Sequence, residues 1–123
     1  MSSNYSLLIV DDDVEIAKVL AMTFELEAEG VEVEIAFSGG EALNKLKGKS
    51  FDAVLSDLQM PNMSGLELWE KIQEELDETP FFFLATGYNV ISPEEKERLN
   101  LAGIFDKPYD MDKVLLGISS FFE

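Results

Sequence analysis

The chain has 123 residues and a formal net charge of −16, from 25 acidic and nine basic residues. This length fits one domain, and a hydrophobic content of 46% is enough for a single well-covered core. The negative charge argues against direct binding to DNA, RNA or anionic lipid, because all three repel it. The chain has no cysteine and no histidine, which excludes disulfides, thiolate or imidazole metal sites and Ser-His-Asp catalysis.

The segments that could direct the chain to a membrane are missing from the sequence. Residues 1–5 lack the charged and apolar regions of a signal peptide, and no apolar run approaches the roughly 20 residues of a membrane span. We therefore expect a cytoplasmic protein without membrane insertion. We see no linker or internal repeat, so residues 1–123 are interpreted as one domain without an output domain.

The first half of the chain alternates between strand and helix patterns. The apolar run 6–10 predicts a short strand, and apolar spacings of three and four over 16–24 predict a helix. Strict alternation over 31–37 predicts a half-exposed strand at or near a sheet edge. Residues 38–41 have the spacing of a capping box, which predicts the start of a second helix.

The middle of the chain contains two strongly apolar strand patterns with a helix between them. The run 51–56 predicts a buried strand that leads directly into Asp57. Residues 64–67 repeat the capping-box spacing and predict a third helix. The nearly all-apolar run 80–85 predicts a strand buried on both faces.

The last part of the chain continues the alternation. Residues 92–95 combine an N-cap, a proline and a glutamate, which together predict a helix start. Residues 103–105 predict a brief strand, and Asp110 is expected to cap a final helix. The expected inward positions include Val19, Leu66, Trp69, Ile72, Leu76, Met111, Val114, Leu115, Ile118, Phe121 and Phe122. Five strands alternating with five helices predict a parallel sheet with helices on both faces.

Residues of matching chemistry follow four of these strands. Asp11 and Asp12 follow the first strand, Asp57 the third, Thr86 the fourth and Lys107 the fifth. The carboxyl ends of parallel strands share one sheet edge, so these groups should converge. Two like charges about 4 Å apart repel by about 4 kcal/mol at an effective dielectric near 20, so the carboxylates must bind protons or a cation. Oxygen ligands with room for water suit Mg²⁺ and phosphate, which indicates phosphoryl chemistry.

Each of these residues also has an ordinary structural explanation. Asp12 or Asp13 could be the N-cap of the first helix, and Asp57 could be a turn residue. Thr86 could be a β-former at a strand end, and Lys107 a solvated lysine. These explanations do not account for four strand ends that carry complementary groups, so we favour the joint functional interpretation.

The motifs that contain these residues resemble the signature of bacterial response-regulator receiver domains of the CheY type. The motifs are Val10-Asp11-Asp12, Asp57-x-x-Met60-Pro61-x-x-x-Gly65, Thr86-Gly87 and Lys107-Pro108. They span essentially the whole chain in the order and spacing of that family. The resemblance implies a flavodoxin-like, doubly wound α/β fold, with a five-stranded parallel sheet in the order 2-1-3-4-5 and five helices.

The resemblance also implies how the acidic residues act. Asp57 would be the phosphoacceptor, which attacks the phosphohistidine of a sensor histidine kinase or a phosphotransfer protein. Asp12, Asp57 and the backbone carbonyl of Gln59 would hold Mg²⁺, and Asp11 would assist through water. The cation would neutralise charge on the transferring group.

The remaining site residues would bind and report the phosphoryl group. Lys107 would pair with one phosphoryl oxygen, and Thr86 would donate its hydroxyl to another and move towards it, as the trigger of a two-state switch. Gly87 would leave the phosphoryl group open to donors and to water. The family usually has Tyr or Phe three residues before the lysine, where this chain has Ile104 with Phe105 beside it.

This departure leaves two explanations open. Either Phe105 takes the aromatic position through a register change, or the aromatic part of the switch is missing. The segment 103–107 is also shorter than is usual in the family, and 88–91 looks like added length before the fourth helix. Both explanations leave the residues of the phosphorylation site unchanged and differ in how its state would reach the fourth helix and the fifth strand.

Our interpretation is a stand-alone receiver that catalyses its own phosphorylation and dephosphorylation, is not otherwise an enzyme, and acts by contacting an unknown downstream protein. One alternative is a degenerate receiver that binds a partner without phosphorylation. Another is a Mg²⁺-dependent phosphohydrolase with Asp57 as nucleophile, although such enzymes usually place an aspartate where Gln59 stands. A nucleotide-binding domain is disfavoured, because no Gly-rich loop follows the first strand.

Overall fold

A computed structural model describes residues 4–87 and 91–122. The strands are β1 (Tyr5–Val10), β2 (Val31–Ala36), β3 (Ala53–Asp57), β4 (Phe81–Thr86) and β5 (Gly103–Asp106). The helices are α1 (Val14–Glu27), α2 (Gly39–Gly48), α3 (Gly65–Glu75), α4 (Pro93–Arg98) and α5 (Met111–Ser119), and a 3₁₀ turn (Ser120–Phe122) follows. The strands pair in parallel in the order 2-1-3-4-5, which confirms the predicted fold.

The sheet separates two hydrophobic cores, because successive side chains of a strand point to opposite faces. In β4, Phe82 and Leu84 pack into a core with residues of α2 and α3. Phe83 and Ala85 pack on the opposite face, against residues of α1 and α5. The predicted burial of the run 80–85 is thus confirmed for 82–85, but Phe81 at the start of β4 is 47% exposed. Strand β2 lies at the sheet edge as expected.

The helix starts follow the capping chemistry of the sequence. Both capping-box hydrogen bonds are formed at α3 and α4, and the Asp13 side chain caps α1 by accepting from two backbone N–H groups. At α2 only half of the box forms. Ser38 accepts from the backbone of Glu41, but the Glu41 carboxylate accepts from the backbone N–H of Phe37 instead of Ser38.

Two of the expected inward positions, Val19 and Phe121, need correction, and one buried position, Leu68, was missed. Val19 is 52% exposed, because the buried face of α1 is formed by Ala17, Leu20, Ala21 and Phe24, and about 100° of rotation per residue turns Val19 to solvent. Leu68, which the spacing of α3 did not single out, is fully buried. Phe121 is partly exposed because the chain turns from α5 into the 3₁₀ turn. None of the helices in 4–87 and 91–122 is long and apolar enough to cross a membrane.

Candidate functional site

The carboxyl ends of the central strands meet at one edge of the sheet. Asp57 is the last residue of β3 and pairs with Ala85, one residue before Thr86 at the end of β4. Lys107 follows β5, and its backbone N–H donates to the carbonyl of Thr86 at 3.0 Å. Asp11 follows β1, and its backbone N–H donates to the carbonyl of Ala36. The parallel strand pairing therefore brings the backbones of Asp11, Asp57, Thr86 and Lys107 to the same edge of the sheet, as the sequence predicted.

A buried ion-pair cluster forms at this edge. The Lys107 Nζ lies 3.1 Å from Asp11 Oδ2 and 3.3 Å from Asp57 Oδ2. The Asp11 side chain is 1% exposed and that of Asp57 is 10% exposed, while the lysine reaches the cluster from a 21% exposed position. One ammonium thus bridges two buried carboxylates, and such charge-assisted contacts are among the stronger polar interactions in proteins.

A third carboxylate extends the cluster towards solvent. Asp11, Asp12 and Asp57 can each offer an oxygen such that the three atoms lie within 4.8 Å of one another. Asp12 is exposed, whereas Asp11 also accepts from the backbone N–H of Asp13 at 2.9 Å. Closely spaced carboxylates that are open to water on one side fit a hard divalent cation such as Mg²⁺. The cluster could therefore hold a metal ion.

The burial of the cluster shifts the pKa values of its members. Burial raises the pKa of Asp57 above its ordinary value; the nearby Lys107 ammonium opposes this shift and the Asp11 carboxylate adds to it. Burial by itself would lower the pKa of Lys107, but the two carboxylates outweigh that effect, so its pKa is raised and the ammonium stays charged. One lysine therefore does not fully compensate two buried carboxylates, which favours binding of a further cation.

The loop after β3 is held tightly behind Asp57. The backbone N–H of Leu58 donates to Ala85 and that of Gly65 donates to Leu58, both at 2.8 Å. A Cβ on Gly65 would lie 2.5 Å from the Asp57 carbonyl oxygen, so a side chain there would displace the start of α3. Glycine is therefore required at position 65, because the backbone there lies too close to the Asp57 carbonyl for any side chain. Gln59, in the same loop, lines the groove beside Asp57.

A groove of about 740 Å³ opens beside Asp57. Gln59, Gly87 and Lys107 lie around the carboxylate. The wall towards α1 and α5 is largely apolar and contains Ile16, Val19, Pro108, Tyr109 and Met111. Sequence reasoning missed this wall. The only indication of the wall in the sequence is Tyr109, which comes directly after Lys107-Pro108. In the structure the Lys107–Pro108 peptide bond is cis.

The residues of the expected switch lie on two different faces of the sheet. Thr86 is buried, and strand alternation places it on the same face as Phe82 and Leu84. Ile104 packs against that core. Phe105 lies on the opposite face, stacks on Phe83 at 5.9 Å between ring centroids and approaches Gly117 of α5.

The pairing of β5 with β4 is regular, so Phe105 does not replace the missing aromatic by a register change. An isoleucine occupies the face where the family usually places an aromatic ring. The suggested extra length at 88–91 falls largely on 88–90, which lie outside the described residues.

Comparison with known proteins agrees with the fold. The family model of the response regulator receiver domain matches residues 7–119. The transcriptional regulatory protein GlrR of Escherichia coli K12 is 32% identical over 117 residues, which are 95% of this chain and 26% of that protein. The acid tolerance regulatory protein ActR of Rhizobium meliloti is 36% identical over 114 residues, 92% of this chain and 57% of that protein. The chain thus spans between a quarter and about three fifths of these curated relatives.

Solved structures are similar over almost their whole length. The chemotaxis response regulator CheY4 of Vibrio cholerae has a TM-score of 0.80 and 30% identity, with 97% of this chain and 99% of that one covered. A CheY-like receiver domain from Methanospirillum hungatei has a TM-score of 0.82 and 33% identity, with 96% and 93% covered. Receiver domains typically bind Mg²⁺, and the acidic cluster Asp11, Asp12 and Asp57 fits that property. The chain therefore belongs to the response regulator receiver domains of two-component signalling systems.

Proposed function

We propose that this receiver accepts a phosphoryl group on Asp57 and that the phosphorylated form binds a downstream protein differently from the unphosphorylated form. A carboxylate oxygen of Asp57 attacks the phosphorus of a phosphohistidine, the P–N bond breaks and the imidazole leaves. The observation that carries the proposal is the pairing of Asp57 with Lys107 at 3.3 Å, at the floor of an open groove. A carboxylate placed this way is accessible to a donor and already has a counter-ion.

The acidic cluster is the proposed Mg²⁺ site. Asp12, Asp57 and the backbone carbonyl of Gln59 would ligate the ion, and Asp11 would hold one of its waters. The bound ion supplies positive charge to the phosphoryl oxygens during transfer. The proposal is supported by the 4.8 Å spacing of the three carboxylates and by their incomplete neutralisation by Lys107.

The remaining motif residues are proposed to bind the phosphoryl oxygens. The Lys107 ammonium, which contacts Asp57 in the unphosphorylated protein, would transfer one of its hydrogen bonds to a phosphoryl oxygen. The Thr86 hydroxyl would donate to a second oxygen. Gly87 lines the groove without a side chain, which leaves space for a donor or for hydrolytic water.

Phosphorylation can be tested with a small donor. Incubation with acetyl phosphate and Mg²⁺ should give one phosphoryl adduct on the intact protein by mass spectrometry, and omission of Mg²⁺ should greatly slow its formation. The adduct should be absent in Asp57→Asn. It should form normally in Asp112→Asn, a matched control in which an exposed carboxylate of α5 is removed.

A failure of this test has a definite meaning if a second donor and a mimic are included. If acetyl phosphate, phosphoramidate and beryllofluoride all leave the protein unchanged, Asp57 is not a phosphoacceptor and the chain binds its partner without phosphorylation. Catalytic turnover of small phosphate esters would instead revive the phosphohydrolase alternative, against which Gln59 argues.

Metal binding can be tested separately from phosphorylation. A ligand that binds only the folded state stabilises it by mass action, so MgCl₂ should raise the thermal midpoint of the wild-type protein. Salt also screens the net charge of −16, so NaCl at the same ionic strength is the control. Asp12→Asn, at an exposed site residue, should reduce the Mg²⁺-specific rise. An equal rise with both salts would show that no site is filled.

The proposed donors are a sensor histidine kinase or a phosphotransfer protein, and we place the reaction in the cytoplasm with them. The output would be contact with a downstream protein on the face of α4 and α5, with no direct contact to nucleic acid by this domain. Charge reversal at Glu94 and Glu97 should change the affinity for that protein, because both carboxylates are exposed on α4. Unchanged affinity would place the contact on another face.

A further inference from the structure

Tyr109 stands next to the ion-pair cluster and has no role in the function proposed above. Its ring centroid lies 5.7 Å from the Lys107 Nζ, within the distance at which an ammonium is attracted to an aromatic face. The ring is half-buried and forms part of the apolar wall of the groove beside Asp57. The contact therefore joins an uncharged aromatic ring to a lysine that is otherwise held by carboxylates.

The need for such a contact follows from the chemistry of lysine. Its ammonium is a compact charge on a flexible four-carbon stem, so it has to be held in place to meet a phosphoryl oxygen. Asp11 and Asp57 hold it at 3.1 and 3.3 Å. Those same carboxylates would turn towards Mg²⁺ and the incoming phosphoryl group, and their hold on the lysine would then weaken.

The ring of Tyr109 differs from the carboxylates in this respect. It attracts the ammonium through its quadrupole. A neutral phenol is not among the ligands that Mg²⁺ usually takes, and Tyr109 is not the proposed phosphoacceptor, so neither would draw the ring away from the lysine. Burial and the nearby carboxylates raise the pKa of Tyr109, so the phenol stays neutral at any pH at which the protein works. The contact with Lys107 can therefore persist throughout the reaction.

We propose that Tyr109 is a positioning residue that holds the Lys107 ammonium beside Asp57 through the face of its ring. The inference rests on the proposed role of Lys107 in binding the phosphoryl group. It adds a residue, outside the expected site set, whose aromatic ring and not its hydroxyl determines how fast Asp57 is phosphorylated.

The test distinguishes the effect of the Tyr109 ring from that of its hydroxyl and from that of its side-chain volume. Tyr109→Phe keeps the ring, whereas Tyr109→Leu keeps an apolar side chain and removes the ring. With acetyl phosphate and saturating Mg²⁺, the Leu variant should be phosphorylated about three- to tenfold more slowly. A rate change of about this size is expected when a cation–π contact of ordinary strength is lost from the reacting state. The Phe variant should stay within about twofold of the wild type, since its ring retains most of the attraction.

A double-mutant cycle shows whether Tyr109 acts through Lys107. In a Lys107→Ala background the change from Tyr109 to Leu should have no further effect on the rate, because the ammonium is already gone. An equal slowing in both backgrounds would overturn the proposal and would mean that the ring contacts the donor directly. Equal slowing by Phe and Leu would assign the effect to the hydroxyl and would also overturn it.

A measurement without any phosphodonor keeps this inference separate from the proposed function. The CH₂ protons next to the Lys107 ammonium should be shifted upfield by the ring current in the wild type and in Tyr109→Phe, and not in Tyr109→Leu. Absence of that shift in the wild type would overturn the inference even if Asp57 is phosphorylated. Its presence in a protein that fails to be phosphorylated would leave the contact intact and reject only the proposed function.

Discussion

Helices α3 and α4 start in the same way and are held in the structure very differently. Both begin with a serine N-cap and a glutamate three residues later, and both capping boxes are complete. Helix α3 has 11 residues and buries Gly65, Leu68, Trp69 and Ile72. Helix α4 has six residues, and none of these six, all of which the structure describes, is buried.

The difference shows that capping hydrogen bonds determine where a helix begins, whereas packing against the core determines how firmly the helix is held. An isolated helix of six residues is far too short to be stable in water, so α4 depends on what holds its ends. Its C-terminal end is held by Trp69 of α3, whose indole N–H donates to the carbonyl of Leu99 at 2.6 Å. Leu101, just beyond, is buried in the core under α3.

The weakly packed helix α4 lies in the chain between Thr86 and Ile104, the positions proposed to take part in a switch. Helix α4 comes after β4, which ends at Thr86, and the core near its ends contains Ile104 in the position where receivers usually have an aromatic residue. A helix with few buried contacts opens at low free energy. Movement of α4 can therefore be altered by small changes, whereas α3 is fixed to the core, and the following variants test that contrast.

The largest effect is expected from the core contact of α3. Leu68→Ala should lower the free energy of unfolding by about 2–5 kcal/mol, because a fully buried side chain leaves a cavity in packed surroundings. Urea denaturation measures this change. A loss below about 1 kcal/mol would indicate that the site collapses around the alanine and that α3 is less tightly packed than the structure indicates.

The paired N-caps provide the most direct comparison. Ser64→Ala and Ser92→Ala each remove the same capping hydrogen bond, which typically stabilises a helix by about 1 kcal/mol. We expect Ser64→Ala to lower global stability by about that amount, because α3 unfolds with the core. Ser92→Ala should instead increase amide hydrogen exchange within α4 and change the urea midpoint little. Equal global effects would show that α4 is as firmly coupled to the core as α3.

The contact from α3 to α4 can be weakened without removing the aromatic packing. Trp69→Phe removes the indole N–H but keeps a ring to stack on Phe82, with which Trp69 now stacks at 4.8 Å between centroids. We expect a loss of about 1 kcal/mol, seen mainly as faster exchange near 95–101, because the Leu99 carbonyl loses its indole donor. Trp69→Leu is the comparison: it also loses the stack and should destabilise the whole fold more.

The smallest effect is expected on the surface of α4 itself. Lys96 is half-buried but lies in a helix without buried residues, so Lys96→Ala should change global stability by no more than about 0.5 kcal/mol. The urea midpoint tests this. A larger loss would mean that the lysine stem, rather than Trp69, fixes α4 against the core.

Much of the site could be predicted because it depends on strand ends. Asp11, Asp57, Thr86 and Lys107 each come at or just after an apolar run, and a parallel sheet places such residues at one edge whatever the loops do. The inward faces of the helices were predicted less accurately. The apolar spacing of α1 included Val19, which the structure exposes, because the choice between neighbouring faces depends on what the helix meets.

Sequence patterns were enough to predict the alternation of strands and helices, the N-caps of α2, α3, α4 and α5, and the order of the site residues along the chain. These features are local, since they depend on residue type and on spacing within a few positions. Three features are visible only in the folded protein: Ile104 and Phe105 face different cores, Trp69 holds the end of α4, and the Lys107 ammonium lies over the Tyr109 ring. These contacts join residues of different elements, and their geometry is set by strand register and by helix packing, which no short sequence segment specifies.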